Sequence, residues 1–246
     1  MSDAYNFCFP LPPSLESEKV KLVPFVMEKH AAPFIPLHQT HARYFEHVPF
    51  GPWTSVNEMR AAIEPRILND PTAVMFAVLD KSMLRPVDTP NEHDAVDTPG
   101  ETNAVDTPDE TNAVAGCIGY LAASPANLSA ELAFVLCLPA FQGKHIASEA
   151  SRLLMHLALD TPEQGGLGLR RLEWRANSLN VKSIQLAMHL GFRLDAILRW
   201  HFVFPEHKAG NGRSIREGDP RPGTKGRDTA VLSLTWDDWE NTLLQK

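Results

Sequence analysis

The residues of this sequence best suited to binding a ligand form one short run, residues 142–147 (Q-G-K-H-I-A). The run separates a predicted strand, residues 129–138, from a predicted amphipathic helix that continues to residue 159. The first backbone N–H groups of a helix have no intrahelical partner, and the helix dipole adds positive potential there. This arrangement predicts an anion site, of the kind that commonly holds a pyrophosphate. The same run also fits an ordinary corner in which the glycine only tightens the turn.

Glutamates on two predicted strands are the carboxylates best placed to move protons. In the strand 129–138, strict alternation places Glu131 on the opposite face from a row of apolar side chains. That row contains Ala130, Leu132, Phe134, Leu136 and Leu138. Glu173 lies on the polar face of a second strand, residues 170–176, between Arg171 and Arg175. These flanking cations favour a surface ion-pair face for Glu173.

Three histidines, His38, His41 and His47, raise the question of a metal site. Such a site needs three or four ligands in a fixed geometry, and no cysteine or carboxylate has the spacing to complete one here. We therefore predict no metal. The chain has three cysteines without metal-ligand spacing. Their odd number suits a reducing compartment, and we expect a cytoplasmic or nucleocytoplasmic protein.

Composition and length indicate one globular domain. The chain has 246 residues, of which 43% are hydrophobic and 22% charged. No segment approaches the roughly 20 consecutive apolar residues that cross a bilayer, so we predict no membrane partner. Residues 1–18 are rich in Pro and Ser and are predicted to be a flexible segment. Residues 19–246 are predicted to form a single domain, with a long loop at 205–228.

A tandem repeat interrupts this domain at residues 87–113. Its three nine-residue copies begin V-D-T-P and contain no large apolar side chain, which predicts a disordered insert. The repeats hold eight acidic residues and no Lys or Arg. These acidic residues account for the formal net charge of −7, and the rest of the chain is close to neutral. With no basic patch interleaved with aromatics, nucleic acid is not an expected partner.

A second group of motifs follows the strand 170–176. Asn180 is predicted to cap a helix whose first turn contains Ser183, and Gly191 is predicted to end it. The order of strand, glycine-containing turn, helix, strand, capped helix and L-G-F (190–192) resembles the GNAT acyl-CoA N-acyltransferases. Residues 142–147 resemble their Q/R-x-x-G-x-G/A turn, with Gln142 and Ala147 matching and His145 in place of the middle glycine. The pattern N-x-x-S, L-G-F and L-R resembles the RimJ/RimL-like branch.

This resemblance implies a fold and a donor substrate. The expected fold is the α/β GNAT fold, a mixed central sheet of about seven strands flanked by helices, spanning most of residues 19–239. The expected donor is acetyl-CoA, with no metal. The residues expected to bind coenzyme A are Val135, Leu136, Cys137, Leu138, Gln142, Gly143, Lys144, His145, Ile146, Ala147, Asn180 and Ser183.

The resemblance also implies a reaction, transfer of an acetyl group to a primary amine by direct attack in a ternary complex. The acceptor would be a small molecule or a protein N-terminus, and the enzyme a monomer or a homodimer. Glu131 matches a strand glutamate of the RimJ/RimL-like sequences and is the expected general base. Ser183 is the expected proton donor, although it also fits a plain first-turn helix residue. Two alternatives remain open: a CoA-binding or interaction protein without catalysis, and an O-acyltransferase.

Overall fold

The computed structural model describes residues 6–84 and 110–244. These residues form one eight-stranded mixed sheet and the helices that pack on it. The strands are β1 (Leu15–Glu16), β2 (Val20–Pro24), β3 (Val74–Asp80), β4 (Val114–Ser124), β5 (Ser129–Cys137), β6 (Arg171–Asn177), β7 (Arg193–Phe204) and β8 (Lys225–Thr235). Their order across the sheet is β1-β2-β3-β4-β5-β6-β8-β7. Only β5 and β6 run parallel to each other. The predicted α/β fold with a mixed sheet is confirmed.

Helices cover both faces of the sheet. The helices are α1 (Met27–His30), α2 (Leu37–Thr40), α3 (Val56–Ile63), α4 (Ile146–Leu159), α5 (Val181–His189) and α6 (Trp236–Leu244). Apolar residues of α1 to α3 belong to one buried cluster and those of α4 to α6 to another, so the sheet separates two cores. Within the described ranges, no helix is both long and apolar enough to cross a membrane.

A β-bulge in β5 corrects the predicted strand faces. Cys117 of β4 pairs with Leu136 and Gly119 with Ala133, so two residues of β5 lie opposite one residue of β4. Phe134, at the bulge, has φ +55°. An extra residue reverses the alternation of side chains. Ala130 and Leu132 therefore share the α4 side with Val135 and Cys137, whereas Phe134, Leu136 and Leu138 face the core beneath α1 to α3.

The sheet opens between its two parallel strands. β5 and β6 pair only at Ser129↔Arg171, Ala130↔Leu172 and Glu131↔Glu173. Both strands continue beyond Glu131 and Glu173, β5 to Cys137 and β6 to Asn177, without pairing to each other. This opening, which we call the fork, leaves backbone N–H and C=O groups of β5 and β6 available to a ligand.

Three predicted boundaries need correction. Part of the segment predicted to be flexible, residues 1–18, contains β1, which pairs with β2, and its Phe7 and Phe9 pack against the core because they are large and apolar. The long loop ends at residue 224, since β8 begins at Lys225. The repeat insert was predicted to extend to Ala113, but Ala113 is fully buried in a turn at Thr111–Ala113. Residues 87–109 of the repeats lie outside the described residues.

Candidate active site

The fork opens into a large cavity. Its volume is about 1290 Å³, more than one small ligand requires. Glu131 lies at the inner end of the fork, where the pairing of β5 with β6 stops. One part of the cavity is lined by the turn before α4 and by the start of α5, and another by residues 41–50 with β6, β7 and β8. We call these the turn end and the β8 end.

The turn before α4 has the conformation of a glycine-rich loop. Gly143 has φ +78°, and a Cβ atom at this position would meet no atom within 4 Å. His145 precedes α4 with φ +64°, a left-handed conformation that glycine adopts more readily than histidine. The first backbone bond of α4 runs from the amide of Glu149 to the carbonyl of His145, so the preceding amides are available to an anion.

Most of the residues predicted to bind coenzyme A meet at this cavity. Those that line it are Val135, Leu136, Cys137, Gln142, Gly143, His145, Ile146, Ala147, Asn180 and Ser183. Leu138 and Lys144 do not. Leu138 is buried in the core beneath α1 to α3, because the bulge turns it there. Lys144 is exposed, and its ammonium lies 5.2 Å from the centre of the Phe141 ring.

The start of α5 supplies polar groups on the β6 side of the cavity. The Asn180 side chain accepts a hydrogen bond from the amide of Ser183 at 3.2 Å, which confirms the predicted cap. The Ser183 hydroxyl in turn accepts a hydrogen bond from the indole Nε1 of Trp174 at 3.0 Å. Since that bond uses only a lone pair, the Ser183 hydroxyl proton remains available to a ligand.

Glu131 is a largely buried carboxylate whose ion pair with Arg175 is long. Its side chain is 14% exposed, and the nearest cation atom, Nε of Arg175, lies 3.6 Å away. No hydrogen bond joins it to another side chain in the described part of the protein. Burial raises the pKa of Glu131 to about 7, although the charges of Arg175 and Arg227 act in the opposite direction. A carboxylate with this pKa can accept a proton at neutral pH.

Glu173 has a different environment, although it pairs with Glu131 in the sheet. Arg171 and Arg175 donate hydrogen bonds to its carboxylate at 2.9 and 2.7 Å. Burial alone would raise the pKa of Glu173, but these hydrogen bonds hold it below its ordinary value. The structure thus confirms the predicted ion-pair role of Glu173.

Four buried polar atoms have no hydrogen-bond partner among the described residues, and all four belong to residues that line this cavity. They are the Tyr44 hydroxyl, His47 Nδ1, Asn177 Nδ2 and Arg227 Nε. Burial raises the pKa of the Tyr44 hydroxyl well above its ordinary range, so it stays protonated. Buried polar groups are normally paired, and their concentration here marks the cavity as a ligand site.

The sequence pattern gave Tyr44, Asn177 and Arg227 no role in ligand binding and raised His47 only as a metal ligand. It assigned Arg227 to the loop 205–228, although alternation extended back from β8 would have placed residues 227, 229 and 231 on one face. Tyr44 and His47 carry no local motif, because only the tertiary fold brings the segment before α3 to the fork. In the described ranges, no three His, Cys, Asp or Glu side chains are grouped closely enough to hold a metal ion.

Comparisons with known proteins agree with the fold. Residues 19–193 match the family model described as an acetyltransferase (GNAT) domain. A probable GNAT-family acetyltransferase from Chromobacterium violaceum has a TM-score of 0.67 and 21% identity over 98% of this chain and 95% of its own. A GCN5-related N-acetyltransferase from Brucella melitensis has a TM-score of 0.66 and 22% identity over 94% and 82%. These identities show a shared fold. No curated protein matches the chain.

Proposed function

Because the chain belongs to the GNAT acetyltransferase family, we propose that it is an N-acetyltransferase acting on a primary amine. Acetyl-CoA is the donor that the family implies. The amine, on a small molecule or a protein N-terminus, would attack the thioester directly while both substrates are bound. The single observation that carries this proposal is the buried Glu131 at the inner end of the fork, which has no side-chain hydrogen bond in the described residues and only a long ion pair, 3.6 Å, with Arg175.

The turn end of the cavity fits the donor. A left-handed Gly143 and the free amides at the start of α4 suit the pyrophosphate. The unpaired edges of β5 and β6 suit the amide groups of the pantetheine arm, since they offer backbone donors and acceptors. The buried Nδ2 of Asn177, which has no hydrogen-bond partner in the described residues, adds a further donor on the β6 side.

In the proposed mechanism, Glu131 accepts a proton from the attacking amine. An amine must be neutral to attack a carbonyl, and a carboxylate whose pKa is about 7 is matched to this task near neutral pH. As the thioester carbonyl gains negative charge, backbone amides of β5 near the bulge would donate hydrogen bonds to it. The departing thiolate would be stabilised by a hydrogen bond from a hydroxyl that lines the cavity, either that of Ser183 or that of Tyr44.

The first test is binding of acetyl-CoA by calorimetry, followed by turnover with a panel of amines. Glu131→Gln should lower turnover at neutral pH by about 10²–10⁴-fold and leave acetyl-CoA affinity unchanged. Glu163→Gln is a matched control, since Glu163 is exposed and does not line the cavity. Unchanged turnover in Glu131→Gln would remove this glutamate from the mechanism. Binding of acetyl-CoA without transfer to any amine would favour a CoA-binding protein without N-acetyltransferase activity.

A further inference from the structure

The β8 end of the cavity is cationic. Among the described residues that line the cavity, Glu131 is the only carboxylate. Arg43, Arg175 and Arg227 line the β8 end, together with His41 and His47. A cleft lined by one sign of charge attracts ligands of the other sign. The β8 end therefore favours an acceptor that carries negative charge in addition to its amine.

Arg227 is the buried arginine of this group, and its guanidinium has no partner among the described residues. It is 6% exposed and is the only buried arginine in the described ranges. No ion pair or hydrogen bond joins its guanidinium to another described residue, and its Nε is buried without a partner. Arg171 and Arg175, in contrast, each donate to a carboxylate. A buried charge without a close partner destabilises a fold, so the position of Arg227 beside the cavity suits a role with a ligand.

Two aromatic rings hold the Arg227 guanidinium without using its N–H donors. Its central carbon lies 5.0 Å from the centre of the Phe202 ring and 5.6 Å from that of Phe204. Burial lowers the pKa of Arg227 to about 10, so it remains a cation at neutral pH. The planar guanidinium is thereby fixed beside the cavity with its hydrogen-bond donors free, an arrangement suited to a carboxylate or a phosphate.

Arg227 and Glu131 lie on the same face of the sheet and near each other. Residues 227, 229 and 231 alternate with buried Ala230 and Leu232, and Val231 pairs with Arg175 across β6. The charge of Glu131 favours the protonated form of Arg227, although the two side chains form no ion pair. A carboxylate and a free guanidinium that line one cavity from the same face of the sheet match the two ends of a zwitterion.

We propose that the acceptor is a small amine that carries its own anionic group, with Glu131 facing the amine and Arg227 binding the anion. This inference rests on the proposed N-acetyl transfer and names its substrate class. An amino acid has the required chemistry, and so does an aminoalkyl phosphate. A polyamine, in contrast, would place extra positive charge against Arg43, Arg175 and Arg227.

The test compares amines that differ only in the anion. The pairs are free amino acids against their carboxamides, and phosphoethanolamine against ethanolamine, with spermidine as the polyamine. In at least one pair we expect kcat/KM for the anionic member to be about 100-fold higher. Arg227→Gln should reduce this preference to less than about tenfold, while Arg227→Lys keeps part of it. Arg193→Gln, which changes an exposed arginine outside the cavity, should leave the preference unchanged.

Preference for spermidine or the neutral amines, or an anionic preference that survives in Arg227→Gln, would overturn the inference while N-acetyl transfer stands. If no amine is acetylated, calorimetry on the CoA-saturated protein decides the inference separately. Binding of an anionic amine that is lost in Arg227→Gln supports it, and absence of such binding overturns it. Arg227→Met should also melt at the same or a higher temperature than the unchanged protein, whereas a purely structural arginine would give a lower one.

Discussion

At the scale of single residues, two glutamates paired in one sheet differ in chemistry because their partners differ. Glu173 receives hydrogen bonds from two arginines, whereas Glu131 has only a 3.6 Å approach from Arg175. The pKa of Glu173 is therefore lowered, and burial raises that of Glu131 to about 7. The environment, and not the residue type, makes Glu131 the proposed base.

This difference predicts the pH dependence of turnover. Since the base must be deprotonated, kcat/KM should rise with pH and level off with a midpoint near pH 7. Arg175 lowers the pKa of Glu131, so Arg175→Gln should move that midpoint to higher pH. Both expectations are checked by measuring kcat/KM against pH for the unchanged protein, Arg175→Gln and Glu131→Gln. A midpoint that stays in place in Arg175→Gln, or a rising limb that persists in Glu131→Gln, would assign the titration to another group.

Three hydroxyls line the cavity, but that of Ser148 already donates to the His145 carbonyl, so Tyr44 and Ser183 are the two that can donate a hydrogen bond to the departing thiolate. The Tyr44 hydroxyl is buried without a partner in the described residues, whereas the Ser183 hydroxyl already accepts a bond from Trp174. We expect Tyr44→Phe to lower kcat by about 10–100-fold and Ser183→Ala by less. Acetyl-CoA affinity, measured in parallel, should change little in both variants. The reverse order of effects would identify Ser183 as the main donor.

At the scale of elements, the turn before α4 keeps its shape although a histidine replaces a glycine. His145 adopts φ +64° and is exposed. A non-glycine residue in this conformation is strained by about 1 kcal/mol. The histidine therefore alters the stability of the turn more than its geometry.

We accordingly expect His145→Gly to stabilise the protein by about 1 kcal/mol without weakening acetyl-CoA binding. His145→Ala is the control, because it removes the imidazole but leaves the strained backbone. Chemical denaturation gives the stability and calorimetry the affinity. If both variants lose affinity about tenfold, the imidazole itself contacts the donor.

Regular elements were predictable from the sequence, and the departures from regularity were not. Alternation placed Glu173 on the polar face of β6 between Arg171 and Arg175, and the cap residue Asn180 located the start of α5. Alternation could not anticipate the bulge at Phe134, because an extra residue depends on how β5 pairs with β4. The alternation of β8 was followed back only to Thr229, so Arg227 was assigned to the preceding loop.

At the scale of the whole molecule, one buried lysine joins the long loop 205–224 to the segment before α3. Lys208 is 3% exposed, and its ammonium donates hydrogen bonds to the carbonyls of Phe45, Phe50 and Gly51 at 2.8, 2.9 and 2.6 Å. Tyr44 and Phe50 of this segment line the β8 end of the cavity. Lys208 therefore fixes the position of one wall of the proposed acceptor site, although it lies far from that wall in the sequence.

Removal of this ammonium should affect both stability and amine binding. We expect Lys208→Met to lower the free energy of unfolding by about 2–4 kcal/mol, since it leaves buried carbonyls without their donor. The KM for the amine should rise more than the dissociation constant of acetyl-CoA. Lys19→Met, at an exposed lysine far from the cavity, is the control. Equal effects on both ligands would mean that Lys208 supports the whole fold and not one end of the cavity.

The nine-residue repeats connect two points of the fold that are already close together. The turn Lys81–Met83 before the repeats contacts the turn Thr111–Ala113, which ends the third copy. Each doubling of a loop's length costs only about 0.6 kcal/mol when its ends are held in place. Each copy is encoded by nine codons, so gain or loss of a copy by slippage during DNA replication preserves the reading frame. A change in the number of copies would therefore alter only the length of this connection and leave the fork unchanged.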